Sequence, residues 1–412
     1  MSLPLPDFPL ADADKCVKCA LCLPHCPTWR ETRNEAESPR GRIALMQGIA
    51  TGALEITPRL ATHLDQCLGC RACEAVCPAE VPYGKLIDAA HAALRTHGQH
   101  EGSMARMLAW WVSSRWRLWI LHAGFWLMQK SGLQRLAGII GPLRRLSRLI
   151  PPLRAPSSRR AHYPASFARS GDVDLFLGCI ARITEPQVTD AAIAVLNAAG
   201  YGVHIPTAQT CCGALDQHAG RKQAAARLAA TNIAAFGDDS RSIVSTASGC
   251  GATLGEYARV SDSAAGEPFA ARHQDLSQFL AAQTALDEIA FSAWPATVIV
   301  HNPCTLRNVL KSEQTVLALL RRIPELNIVV LPASTGCCGA AGSYLLNQPE
   351  MSDRLGDRIA NDIAGRQPAA LVTSNVGCAM HLAASLARQG QPLPVMHPVE
   401  VLAQQLPARQ PV

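Results

Sequence analysis

CVKCALCLPHCP (16–27) and CLGCRACEAVCP (67–78) carry one spacing twice, C-x2-C-x2-C-x3-C-P. Cubane iron–sulfur clusters are held by runs of this kind. Three thiolates two residues apart close on one face of a cluster, while the fourth, set back before a proline, reaches to the other cluster of a pair. The expected ligand sets are therefore Cys16, Cys19, Cys22 and Cys77 around one [4Fe–4S], and Cys67, Cys70, Cys73 and Cys26 around a second. A disulfide framework and two zinc sites are the alternatives. Zinc sites pair two separated C-x2-C elements rather than four cysteines in one run.

The opening MSLPLPDFPLADADK has neither a basic n-region nor an apolar h-region, which argues against a secretory signal. A chain retained in a reducing compartment uses dense cysteine for metal or redox chemistry rather than for staples. The expected location is cytoplasmic. With 412 residues, 48% hydrophobic and 17% charged, the chain is long enough for two or three domains with their own cores.

The other eight cysteines follow a longer period. Cys179 precedes Cys211–Cys212–Gly213 and Cys250; Cys304 precedes Cys337–Cys338–Gly339 and Cys378. The gaps, 32 against 33 and 38 against 40, mark an internal duplication. VDLFLG, SIVSTA, ATVIVH, NIVVLP and ALVTS read as short strands. The stretches 188–200, 221–236 and 312–323 between them read as helices. Alternation of this kind implies mostly parallel α/β sheets. Each cysteine then falls just past a strand's carboxyl end, where open α/β sheets build ligand sites. Gly213 and Gly339 would let the backbone turn tightly there. Cys179, Cys211, Cys212 and Cys250 are candidates for a third centre, and Cys304, Cys337, Cys338 and Cys378 for a fourth. Further iron–sulfur clusters, zinc and redox-active thiols all fit such sets; buried cysteines acting as small hydrophobes are the bland reading.

Two ferredoxin runs, the PRGR segment (39–42) between them and two "CCG" repeats resemble the iron–sulfur subunit of glycolate oxidase across nearly the whole chain. HLDQCLGCRACEAVCP (63–78), TASGCG (246–251), HNPCTL (301–306), GCCGAAGSY (336–344) and SNVGC (374–378) carry the likeness. The same architecture occurs in iron–sulfur subunits of lactate-utilisation systems and of anaerobic glycerol-3-phosphate dehydrogenase. The resemblance implies an α+β multidomain chain: a helical two-cluster ferredoxin domain (1–100), a basic Trp-rich segment and linker (101–171), and duplicated α/β CCG domains with parallel sheets (172–293 and 294–405). It implies helices over PRGRIALMQGIATGAL and TPRLATHLDQC. In heterodisulfide-reductase-like relatives each repeat closes with C-x2-C, giving five thiolates and thiol–disulfide chemistry. Ala247 and Asn375 stand at those positions here, which argues against that chemistry.

From Gly102 to Gly171 there are twelve Arg and Lys and no acidic residue, within a chain whose net charge is +6. Trp110, Trp111, Trp116, Trp119 and Trp126 lie in the first part. Its longest charge-free run, between Arg117 and Lys130, is too short to span a bilayer. An amphipathic helix at the inner membrane face fits the composition. So does a docking surface packed on the ferredoxin part or on a partner subunit. No nucleic-acid fold motif accompanies the charge, so nucleic acid is not an expected partner. PPLRAPSSRRAHYP (151–164) reads as a linker without periodicity.

No glycine-rich nucleotide fingerprint follows a strand. His25, His301, His381 and Arg307 lie near cysteines without a catalytic role of their own. A hydroxy acid needs a two-electron cofactor to be oxidised. The chain is therefore expected to be an electron-transfer subunit, with FAD on partner glycolate oxidase subunits and a quinone-type acceptor. D-Lactate and glycerol 3-phosphate are the alternative substrates of such a complex.

Overall fold

The computed structural model describes residues 8–99, 102–134, 145, 147–165, 169–237 and 240–407. Residues 1–7 of the opening segment and parts of the basic stretch (135–144, 146 and 166–168) lie outside them.

Six helices build the N-terminal part: α1 (Leu10–Asp14), α2 (Pro27–Thr32), α3 (Pro39–Ala50), α4 (Pro58–Asp65), α5 (Ala72–Ala75) and α6 (Tyr83–Thr96). Ser38 and Thr57 cap α3 and α4 by accepting from Gly41 N–H (2.9 Å) and Leu60 N–H (3.2 Å), and a proline follows each as the first helical residue. These two helices fill the gap between the cysteine runs, as the sequence implies. Met46, Leu64, Leu86 and Leu94 form their shared core.

Helices α7 (Ser103–Val112) and α8 (Arg115–Lys130) follow. The first sheet runs β1 (His162–Tyr163), β3 (Tyr201–His204), β2 (Gly171–Phe176), β4 (Ser242–Ser245), β5 (His273–Asp275), with only β1 antiparallel. The second runs β7 (Asn327–Val330), β6 (Thr297–Val300), β8 (Ala370–Val372), β9 (Val395–Met396), all parallel. The order β3-β2-β4-β5 repeats as β7-β6-β8-β9, so the duplication in cysteine spacing is a duplication of topology. All five strands expected from sequence are present. β1 is a correction, since it lies inside the segment read as an unstructured linker. One apolar cluster runs through both repeats, from Val173, Leu175 and Leu196 to Val298, Leu320 and Leu402.

Candidate metal centres

The two N-terminal runs adopt matching backbones. Lys18 (φ 57°) and Gly69 (φ 60°) occupy equivalent positions, as do Ala20 (φ 71°) and Arg71 (φ 56°), all left-handed. Three of these four are not glycine, and each such residue costs roughly 1–2 kcal/mol. Left-handed residues at such positions turn successive N–H groups inward, as in the backbone nests of many iron–sulfur sites. Gly69 N–H donates to Cys67 Sγ at 3.4 Å.

The thiols sort into two concavities. Cys16, Cys19, Cys22 and Cys77 line one that opens to solvent, together with Pro39, Val81 and Tyr83. Cys26, Cys67, Cys70 and Cys73 line the other, with Cys73 on the wall shared by both. Each run thus sends its last cysteine to the other run's cavity. Burial pushes the Cys73 thiol well above its usual range, and the neighbouring Cys70, Cys67 and Cys26 add to it. Thiols so placed are poor as thiolates unless a cation offsets them, which suits a metal centre.

Arg42 braces the second cavity. It is almost fully buried; its guanidinium donates to Glu37 Oε2, to Glu37 O at 2.6 Å, to Thr28 Oγ1 at 3.1 Å and to His63 O at 2.7 Å. Burial disfavours its charge, but Cys67, Tyr83, Cys26 and Glu37 together hold its proton above the ordinary arginine range. Of the two arginines of the PRGR segment it is the buried one, a role the motif alone did not reveal.

The repeats converge as the spacing requires. At the first rim Cys179, Cys211 and Cys212 share one buried cluster, with Cys250 packed against it. At the second, Cys304 Sγ lies 4.0 Å from Cys337 Sγ, and Cys338 Sγ lies 2.9 Å from Cys378 Sγ. Gly213 (φ 91°) and Gly339 (φ 87°) are left-handed, and a Cβ at Gly339 would meet Ser352 O at 2.6 Å. The glycine after each Cys–Cys pair is therefore obligatory backbone geometry. All sixteen cysteines are free thiols.

The rims are not equally placed. The second abuts the N-terminal cavity: Leu68 and Cys70 pack with Cys337, Cys304 and Tyr344. Burial raises the Cys70 thiol, and the Cys337 charge is the next contributor. Asn308, in the π-helical turn Leu306–Leu310, donates to Cys70 O. The first rim is covered instead by α7 and α8, whose Val112 and Leu118 pack with Cys179, Cys211 and Cys212. One side of these helices therefore packs on the first repeat rather than on the ferredoxin part. Their other side remains open, with Trp110, Trp116 and Trp119 more than half exposed beside Met107 and Leu127. Among the described residues, no helix is long and apolar enough to cross a membrane.

The remaining sequence candidates are structural. His301 donates to or accepts from Thr373 Oγ1 at 3.1 Å, and burial lowers it to about 4. His381 Nε2 meets Ser352 O at 3.0 Å. Arg307 donates to the carbonyls of Asn302 and Ala333.

Comparison with known proteins agrees with this geometry. The 4Fe-4S dicluster domain matches residues 12–81, and the cysteine-rich CCG domain matches 173–255 and 298–383. The chain is 33% identical over 399 residues to the probable glycolate oxidase iron-sulfur subunit of Bacillus subtilis (strain 168), covering 91% of this chain and 89% of that one. It is 29% identical over 412 residues to the glycolate oxidase iron-sulfur subunit of Escherichia coli (strain K12), at 95% and 93% coverage. Lactate utilization protein A of Geobacillus thermodenitrificans is 28% identical over 238 residues, 56% of this chain and 98% of that protein.

Proposed function

Because the chain belongs to the family of glycolate oxidase iron–sulfur subunits, we propose that it carries electrons out of a flavoprotein partner that oxidises glycolate to glyoxylate. The observation that carries this reading is the sorting of eight thiols into two crossed sets of four. Cys16, Cys19, Cys22 and Cys77 would hold one [4Fe–4S] cluster; Cys67, Cys70, Cys73 and Cys26 would hold the other. Such clusters supply one-electron steps, whereas glycolate gives up two electrons and two protons. An FAD on the partner would supply the two-electron step, and a quinone-type acceptor would take the electrons that this chain carries away. Cys179, Cys211, Cys212 and Cys250, and Cys304, Cys337, Cys338 and Cys378, are the further centres of this relay.

The nested loops and Arg42 support the assignment, since both place positive potential around buried thiolates. The open tryptophan face of α7 and α8, with twelve basic and no acidic residues between Gly102 and Gly171, supports attachment to the inner face of the membrane. D-Lactate is the second substrate reading, favoured by the lactate-utilisation relatives.

The test is to purify the complex with Cys19→Ser or Cys70→Ser in this chain. Quinone-linked glycolate oxidation should be lost together with the paramagnetic resonance signal of the altered cluster. Oxidation that persists without either cluster signal would overturn the proposal.

A further inference from the structure

Sequence order suggests that electrons leaving the N-terminal cavities meet repeat 1 first and repeat 2 second. The contacts reverse that order. Cys70 lies against Cys337 and Cys304 of the second repeat, and Asn308 of that repeat holds the Cys70 carbonyl. Cys179, Cys211 and Cys212 of the first repeat lie instead under Val112 and Leu118 of α7 and α8.

The two rims are stitched together at one point. Asn375 Nδ2 donates to Cys378 Sγ at 3.4 Å, while Asn375 Oδ1 accepts from Gly249 N–H at 3.2 Å. Gly249 is bonded directly to Cys250. A Cβ on Gly249 would stand 3.0 Å from Asn375 Oδ1, so glycine keeps the approach close. Ser248 reinforces the contact: its N–H donates to Ser374 O at 2.9 Å, and its hydroxyl meets Thr305 Oγ1, beside Cys304, at 2.8 Å. One amide therefore links a sulfur of repeat 2 to the residue next to a cysteine of repeat 1. It stands where a C-x2-C pattern would put a thiolate.

We propose that electrons reach the second repeat before the first, and that the Asn375 side chain is the positioning residue for the crossing between them. The inference rests on the relay function above. Each crossing would move one electron: a centre held by Cys304, Cys337, Cys338 and Cys378 would be reoxidised as one held by Cys179, Cys211, Cys212 and Cys250 is reduced. Two crossings clear one glycolate, and the quinone-type acceptor removes both electrons. The exit centre is then the one beneath α7 and α8. Asn375 donates to sulfur, and hydrogen bonds to sulfur raise a centre's reduction potential.

The experiment uses the whole complex, reduced by glycolate and freeze-quenched, with each centre read by paramagnetic resonance and visible absorption. With Cys304→Ser the N-terminal clusters should be reduced while the repeat 1 signal is not. With Cys250→Ser the repeat 2 signal should still be reduced. Asn375→Leu, with the same branched shape but without the amide, should slow reduction of the repeat 1 centre by about tenfold and lower the repeat 2 potential in equilibrium titration. Asn375→Gln should restore part of both. Reduction of repeat 1 at the normal rate in the Cys304→Ser complex overturns the order, as does the absence of any reducible signal in either repeat. Unchanged rate and potential in Asn375→Leu overturn the role of the amide. Failure of glycolate to reduce the N-terminal clusters in the unaltered complex would instead overturn the relay function itself.

Discussion

Asn308 Nδ2 donates a 2.7 Å hydrogen bond to the carbonyl oxygen of Cys70, joining a turn of the second repeat to a cysteine loop of the N-terminal part. The turn is π-helical, a distortion frequent at functional sites. Replacing Asn308 by leucine leaves a part-buried carbonyl without its donor, at a cost of about 1–3 kcal/mol. The effect should be local. Iron of the cluster proposed for Cys26, Cys67, Cys70 and Cys73 should be released faster to a ferrous chelator, while iron of the cluster proposed for Cys16, Cys19, Cys22 and Cys77 should be released at its normal rate. Equal acceleration at both would mean that Asn308 supports the whole domain rather than this loop.

Arg42 and Glu37 form a pair from which water is almost excluded, with side-chain exposures of 1% and 3%. Desolvation makes such a pair a weak source of stability, yet removing one partner strands the other charge at about 3–5 kcal/mol. Arg42→Met should destabilise the N-terminal part by that order, seen as a lower urea midpoint of the cluster absorbance. His63 and Gln66 also face Glu37 and will soften the loss. Arg42→Met should also lower the potential of the adjoining cluster, because a positive charge beside Cys67 and Cys26 is gone. A stability loss with an unchanged potential would reduce Arg42 to a purely structural pin.

The junction between α6 and the first repeat carries a pH signature. Asp88 is buried and meets His218 Nδ1 at 3.0 Å, Arg259 Nη1 at 3.1 Å and Gln217 Nε2 at 3.1 Å. Burial pulls its carboxyl upward, but His218 and Arg259 outweigh this and hold it below the ordinary range. Burial lowers His218 and Arg259 repels it, while Asp88 and Glu256 prevail and raise it. A depressed carboxyl contributes fully above its unfolded value, about 3.9, and loses its contribution as pH falls through the folded value. A raised imidazole contributes fully below about 6.5 and loses its contribution as pH rises through the folded value. The stability difference between the natural chain and Asp88→Asn should therefore be widest between about pH 4 and 6.5 and narrow on both sides. A difference that keeps growing toward alkaline pH would contradict this account.

Much of this was legible in the cysteines. Their spacing shows the duplication, and the short apolar runs before them show the strands of the α/β repeats, because ligand spacing and strand period are local properties. The docking of one part on another was not. Cys70 and Cys337, or Gly249 and Asn375, meet only after independent units pack, and no periodicity records it. β3 escaped because Tyr201–His204 is short and interrupted by Gly202. Helices α7 and α8 showed their composition but not their partner. Apolar residues at helical spacing say that a face is buried, not that Cys179 and Cys211 lie under it.

That buried face leaves the opposite one to answer for itself. Trp116 and Trp119 are 63% and 61% exposed on α8, and the Arg117 guanidinium sits 3.9 Å over the Trp110 ring between the two helices. Apolar rings beside cations, with no carboxylate nearby in sequence, suit the boundary of an anionic bilayer. The natural chain should cosediment with phosphatidylglycerol vesicles and not with neutral ones, and ~0.5 M salt should release it by screening. Trp116→Ser with Trp119→Ser should weaken binding by about 2 kcal/mol, close to thirtyfold, without altering either N-terminal cluster spectrum. Undiminished binding by the double variant would move the contact elsewhere. Absence of binding to either vesicle would assign the tryptophan face to a protein subunit of the complex.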